Sequence, residues 1–157
     1  MKKNQEAIDR AIETFDHVLW GCIAKACAYA YSKAFEKKIN EVRVVYQTSS
    51  DPREPKRFKQ IKSYIEKYVK WALPIIKEMR PIERAGLMKF YLDYAIQQNL
   101  KSSIEVVVIG PDHFYQIVCP CNGQHLENTG DLKKFNVVLQ KPKKVGKNIY
   151  EFRFSIT

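Results

Sequence analysis

The period of the apolar residues changes once along this chain, near residue 100, and that change limits the fold more than any other feature. From about residue 4 to 38, Ile8, Ile12, Phe15, Leu19, Cys22, Ala26 and Tyr29 recur at alternating steps of four and three. That spacing places them on one stripe of a helix. Gly21 is expected to bend or split this helix, and the Ala-rich run from 24 to 34 suits close approach of another one. A second helix is expected over about 55–79, with Phe58, Ile61, Ile65, Tyr68, Val69 and Ala72 on its apolar face and a kink or stop at Pro74. Pro81 suits the first turn of a third helix over about 82–97, which buries Leu87, Tyr91 and Tyr94. The segment Val42–Gln47 fits either a short strand or a helical turn.

After Asn99 the pattern is that of strands. Ile104–Ile109 is β-branched and stops at Gly110, Pro111 and Asp112. Phe114–Val118, Phe135–Leu139 and Ile149–Ile156 follow, the last with Tyr150, Phe152 and Phe154 on one face and Glu151, Arg153 and Ser155 on the other. The expected class is α+β, an N-terminal helical bundle followed by a small antiparallel sheet. The 157 residues fit one domain with its own core; the alternative is a helical subdomain over 1–99 and a strand-rich one over 104–157. Hydrophobic content of 45% and aromatic content of 12% exclude a disordered chain.

The longest apolar run, Val18–Tyr31, is interrupted by Lys25 and preceded by Asp9, Glu13 and Asp16. It is neither a signal peptide nor a membrane span, which needs roughly 20 apolar residues. A cytoplasmic location is therefore expected, with the four cysteines as free thiols.

Charge is the second constraint. The chain carries a net +10, of which residues 52–103 hold +7. At about 100° per residue, Lys56, Lys59, Ser63, Lys67 and Lys70 form a narrow stripe opposite the apolar face, with Arg53 and Arg57 beside its start. Spaced lysines on a rigid element match phosphates and release counterions on binding. Nothing in the stripe reads bases, so recognition should follow the backbone. A second basic group, Lys141, Lys143, Lys144 and Lys147, lies in the expected hairpin before the last strand. Trp71 and Tyr64 can stack on bases or fill the core.

Chemistry-bearing residues are few. Cys119, Cys121 and His125, with His113 upstream, are the best candidates for a metal, because zinc takes four N or S ligands. Their spacing fits no standard zinc finger, and no metal or other cofactor is expected. Cys22 and Cys27 point away from each other on a helix. Glu105 and Asp112 alone do not make the carboxylate cluster a Mg²⁺ nuclease needs. Cys119 beside His125 or His113 lacks a third orienting group, and there is no Gly-rich phosphate loop. No catalytic residue is assigned.

Three segments carry a resemblance: Val42-Arg43-Val44-Val45-Tyr46-Gln47, the helix from Lys59 to Lys77, and Leu87-Met88-Lys89-Phe90-Tyr91-Leu92-Asp93-Tyr94-Ala95. In that order they resemble the small helical subunit of type III CRISPR effector complexes, over residues 42–97. The resemblance implies a non-catalytic subunit of a ribonucleoprotein filament in antiviral defence, touching the RNA backbone through basic residues. The function expected from the sequence is thus a basic subunit of a larger assembly, binding the phosphate backbone of RNA ahead of DNA. The alternatives are an interaction or inhibitory module, of viral type, that meets an acidic protein surface, and a metal-dependent nucleic-acid enzyme.

Overall fold

A computed structural model describes residues 4–81, 103–111, 116–121 and 123–157. Helix α1 (Gln5–Ala26) starts at Asn4, whose side chain accepts from the Ala7 N–H at 2.7 Å, and ends before Ala28, which sits at φ 72°. Strands β1 (Tyr31–Lys38) and β2 (Glu41–Gln47) form a hairpin, and helix α2 (Pro55–Trp71) follows. Then come β3 (Ile75–Pro81), β4 (Ser103–Ile109) and β5 (Ile117–Pro120). A 3₁₀ turn over Thr129–Lys134 leads to β6 (Val137–Leu139), β7 (Lys143–Gly146) and β8 (Ile149–Ile156).

Two antiparallel sheets result. The larger runs β1-β2-β8-β6, with β7 also paired to β8; the smaller runs β3-β4-β5. One buried cluster joins both to the helices: Phe15, Leu19 and Ile23 of α1, Val44 and Tyr46 of β2, Phe152 and Phe154 of β8, Val107 and Ile109 of β4, and Ile61 and Tyr68 of α2. The Phe15 ring meets Phe154 edge-on at 4.7 Å. The α+β expectation holds.

Several segments differ from expectation. Residues 31–38 are strand, not helix, because the left-handed turn at Ala28 redirects the chain and β2 supplies ladder partners from Tyr31↔Gln47 to Lys38↔Glu41. Gly21 does not break α1. It lies where α1 packs on β5, and a Cβ there would sit 2.7 Å from Ile117 Cγ1. Residues 75–79 are strand as well. Helix α2 stops at Ala72 (φ 49°), where Thr129 Oγ1 donates to the Tyr68 carbonyl and accepts from the Leu73 N–H. Pro74 cannot donate to a continuing helix, and Ile75–Pro81 pairs along β4. Val42–Gln47 is strand. Residues 143–146 are a ladder strand rather than loop. The expected helix over 82–97 lies outside the described residues. No helix among the described residues is long and apolar enough to cross a membrane.

Candidate metal centre and basic face

Glu13 and His17 are four residues apart on α1, so both side chains leave one face of the helix. Cys121 and His125, again four apart, lie in the loop after β5. That loop is tied down at both ends: the Cys121 N–H donates to the Glu105 carbonyl at 3.3 Å, and the Leu126 N–H donates to Thr14 Oγ1 on α1 at 3.0 Å. Within it the Gly123 N–H points at Cys121 Sγ, 3.3 Å away.

These anchors bring four donor atoms, one each from Glu13, His17, Cys121 and His125, within 4.8 Å of one another. His17 Nε2 faces His125 Nε2 at 3.0 Å, and Cys121 Sγ lies 3.6 Å from His125 Nε2. A tetrahedral zinc, with Zn–N near 2.0–2.1 Å and Zn–S near 2.3 Å, sets two nitrogens about 3.3 Å apart and a nitrogen and sulfur about 3.5 Å apart. The spacing therefore fits one ion.

Burial pushes His17 down to about 3, and burial followed by the charge of Lys77 pushes His125 down to about 4. Both imidazoles are neutral at pH 7, as metal ligands must be. Burial raises the Cys121 thiol and the Glu13 carboxyl. It also lifts Asp16 to about 7, although the Tyr46 hydroxyl donates to it at 3.1 Å. These upward shifts disfavour anions, and a bound divalent cation reverses that preference. By geometric criteria, His125 Nδ1 is buried with no hydrogen-bond partner among the described residues. The charge of Lys77 on β3 also reaches Cys121, and its Nζ lies 3.9 Å from Glu105 Oε1.

Of the four metal candidates read from sequence, two meet here. Cys121 and His125 join the group. Cys119 does not: it pairs opposite Val107 in the β4–β5 ladder and is 5% exposed, a core residue. His113, like Asp112, lies outside the described residues. None of the four cysteines is in a disulfide. Glu13 and His17 were missed, and the signal for them was two pairs, Glu13-x-x-x-His17 and Cys121-x-x-x-His125, with the same spacing.

The basic face is largely as the helical period placed it. Lys56, Lys59, Lys67 and Lys70 are exposed on α2, while Phe58, Ile61 and Tyr68 are buried on the other side. Lys67 Nζ lies 5.6 Å from the Tyr64 ring centre. Arg53 and Arg57 are engaged within the protein: Arg53 binds Asp51 at 2.8 Å and stands over Tyr150, and Arg57 binds Glu54 at 2.7 Å. Lys143 and Lys144 are exposed on β7. Arg53 and, more weakly, the charge of Lys144 hold the Asp51 carboxyl below its usual range. Lys144 therefore lies near the start of the α2 stripe.

The family described as threonyl and alanyl tRNA synthetase second additional domain matches residues 104–150. That is under a third of the chain; it contains β4 to β7 and the Cys121/His125 loop but neither α1 nor α2. The match is compatible with nucleic-acid binding. No curated protein matches the chain.

Proposed function

We propose that the chain is a zinc-dependent hydrolase acting on aminoacylated tRNA, holding the RNA backbone on its basic face and cleaving the ester between amino acid and terminal ribose. One observation carries this reading: a His/His/Cys/Glu group, assembled from α1 and the loop after β5, with donor spacing that suits a tetrahedral ion. Zinc fits a site of two imidazoles and a thiolate, with a carboxylate beside them, better than Mg²⁺ or Ca²⁺, which prefer oxygen. Bound there, it would polarise a carbonyl and lower the pKa of water.

The substrate class follows from two features. The matched family belongs by its description to tRNA synthetases, enzymes that make aminoacyl esters and whose errors are removed by hydrolysis at a second site. The α2 lysines supply sequence-independent phosphate contacts. The type III CRISPR resemblance over residues 42–97 also assigns RNA to this helix. The non-catalytic role expected from sequence gives way in this reading, because half of the group lies in α1, which its apolar period marks only as core.

The test is hydrolysis of a panel of aminoacyl-tRNAs by the purified protein. Release of amino acid that stops on chelation and returns with zinc supports the proposal. Tight tRNA binding with no release from any member of the panel contradicts the hydrolase reading and leaves a binding protein.

A further inference from the structure

We infer that Glu13 is the general base of this site and not its fourth metal ligand. The inference rests on the metal-dependent reading above and assigns a role within it. His17 Nε2 and His125 Nε2 are 3.0 Å apart, and Cys121 Sγ is 3.6 Å from His125 Nε2. Three N/S ligands with an open fourth position are the arrangement of catalytic zinc.

Other carboxylates around the centre are already engaged. Asp9 is bound by Lys37 and Gln5, Glu6 by Arg10, Glu105 by Lys77, and Asp16 by the Tyr46 hydroxyl. Glu13 makes no hydrogen bond or ion pair among the described residues. It is half-buried, and it lines a pocket of about 280 Å³ together with Glu6, Asp9, Arg10, Gly123 and Gln124. His17, by contrast, is 7% exposed and absent from that lining. A Cβ on Gly123 would lie 3.6 Å from Glu13 Oε2 and 3.5 Å from Cys121 Sγ. The carboxylate therefore reaches the loop beside Gly123, at the edge of that pocket.

Both imidazoles direct Nε2 at the centre, so neither is available to take a proton. Glu13 accepts one proton of the attacking water while the water oxygen bonds to the ester carbonyl carbon. The bond between the acyl carbon and the ribose oxygen then breaks, and Glu13 returns that proton to the departing ribose oxygen. The new carboxylic acid loses its own proton to solvent.

Glu13→Gln and Glu13→Ala decide the matter, read by metal content, by the visible spectrum of the cobalt-substituted protein, and by hydrolysis of p-nitrophenyl acetate, which needs no RNA. The expected result is parental metal content, a retained thiolate-to-cobalt band, and hydrolysis lower by about 100-fold or more. Loss of metal from Glu13→Gln makes Glu13 a ligand and overturns the inference. Full metal with unchanged hydrolysis overturns it too. A parent protein that takes up no metal overturns the site itself, a separate outcome visible before any variant is made.

Discussion

His17 and His125 point their Nε2 atoms at each other across 3.0 Å, although 108 residues separate them in sequence. Only one of two neutral imidazoles can donate in such a pair, whereas both can serve one cation. The prediction is that His17→Ala and His125→Ala each weaken zinc binding beyond the 10–100-fold typical of losing an outer-shell partner. Cys119→Ser should leave it unchanged, since that thiol lies in the β4–β5 core. Competition with a zinc chelator measures all three.

Lys77 acts on the same centre from outside. Its charge works against a nearby cation, and solvent screens it in part because its side chain is 32% exposed. Lys77→Gln should tighten zinc binding by a few-fold, roughly two to five. Equal affinities would mean that the pairing with Glu105 holds the ammonium out of range.

The α2 stripe predicts how RNA binding responds to salt. Changing Lys56, Lys59, Lys67 and Lys70 together to Glu should leave the melting temperature nearly unchanged, because exposed substitutions cost about 0.5 kcal/mol or less. It should remove most tRNA affinity and lower the slope of log K against log salt by roughly one per lost contact. Lys143→Glu with Lys144→Glu should do less, and Arg53→Ala less again, because that guanidinium is spent on Asp51. Filter binding across a salt series separates the three.

Thr129 is fully buried and holds both the Tyr68 carbonyl in the last turn of α2 and the Leu73 N–H just beyond the helix. Thr129→Val should cost about 1–3 kcal/mol in chemical denaturation, since two buried backbone groups lose their partner.

Glu151 is held below the usual carboxylate range, chiefly by its hydrogen bond from Arg43 and also by Arg153. Its folded pKa is thus depressed from 4.5, so its contribution is present above that value and lost as pH falls through the folded one. Glu151→Gln should lower the melting temperature at pH 7, and the difference should close progressively as the pH drops below about 4.5. A constant difference down to pH 2 would contradict the assignment.

The legible parts of the sequence were elements with one wet and one dry face. Strand β8 shows Tyr150, Phe152 and Phe154 to the core, and α2 shows Phe58, Ile61 and Tyr68; in both, burial imposes a period. Strands β1 and β3 gave no such sign. Each is the outer strand of its sheet among the described residues and is exposed along most of its length, and β1 also carries a register shift between Ser32 and Ala34. Without burial there is no alternation to read. The metal group was half visible. Cys121 and His125 are near neighbours in sequence, but Glu13 and His17 sit among the apolar residues of α1, and only the tertiary fold brings them to the loop.

Zinc content of the purified protein, by elemental analysis after dialysis against micromolar zinc, tests the central claim most directly. The expected result is about one zinc per chain in the parent and none in a His17→Ala, Cys121→Ser double variant that still folds. A parent that stays metal-free would contradict the account. The 3.0 Å approach of His17 and His125 would then be an ordinary imidazole hydrogen bond, and the basic face would remain as the binding feature.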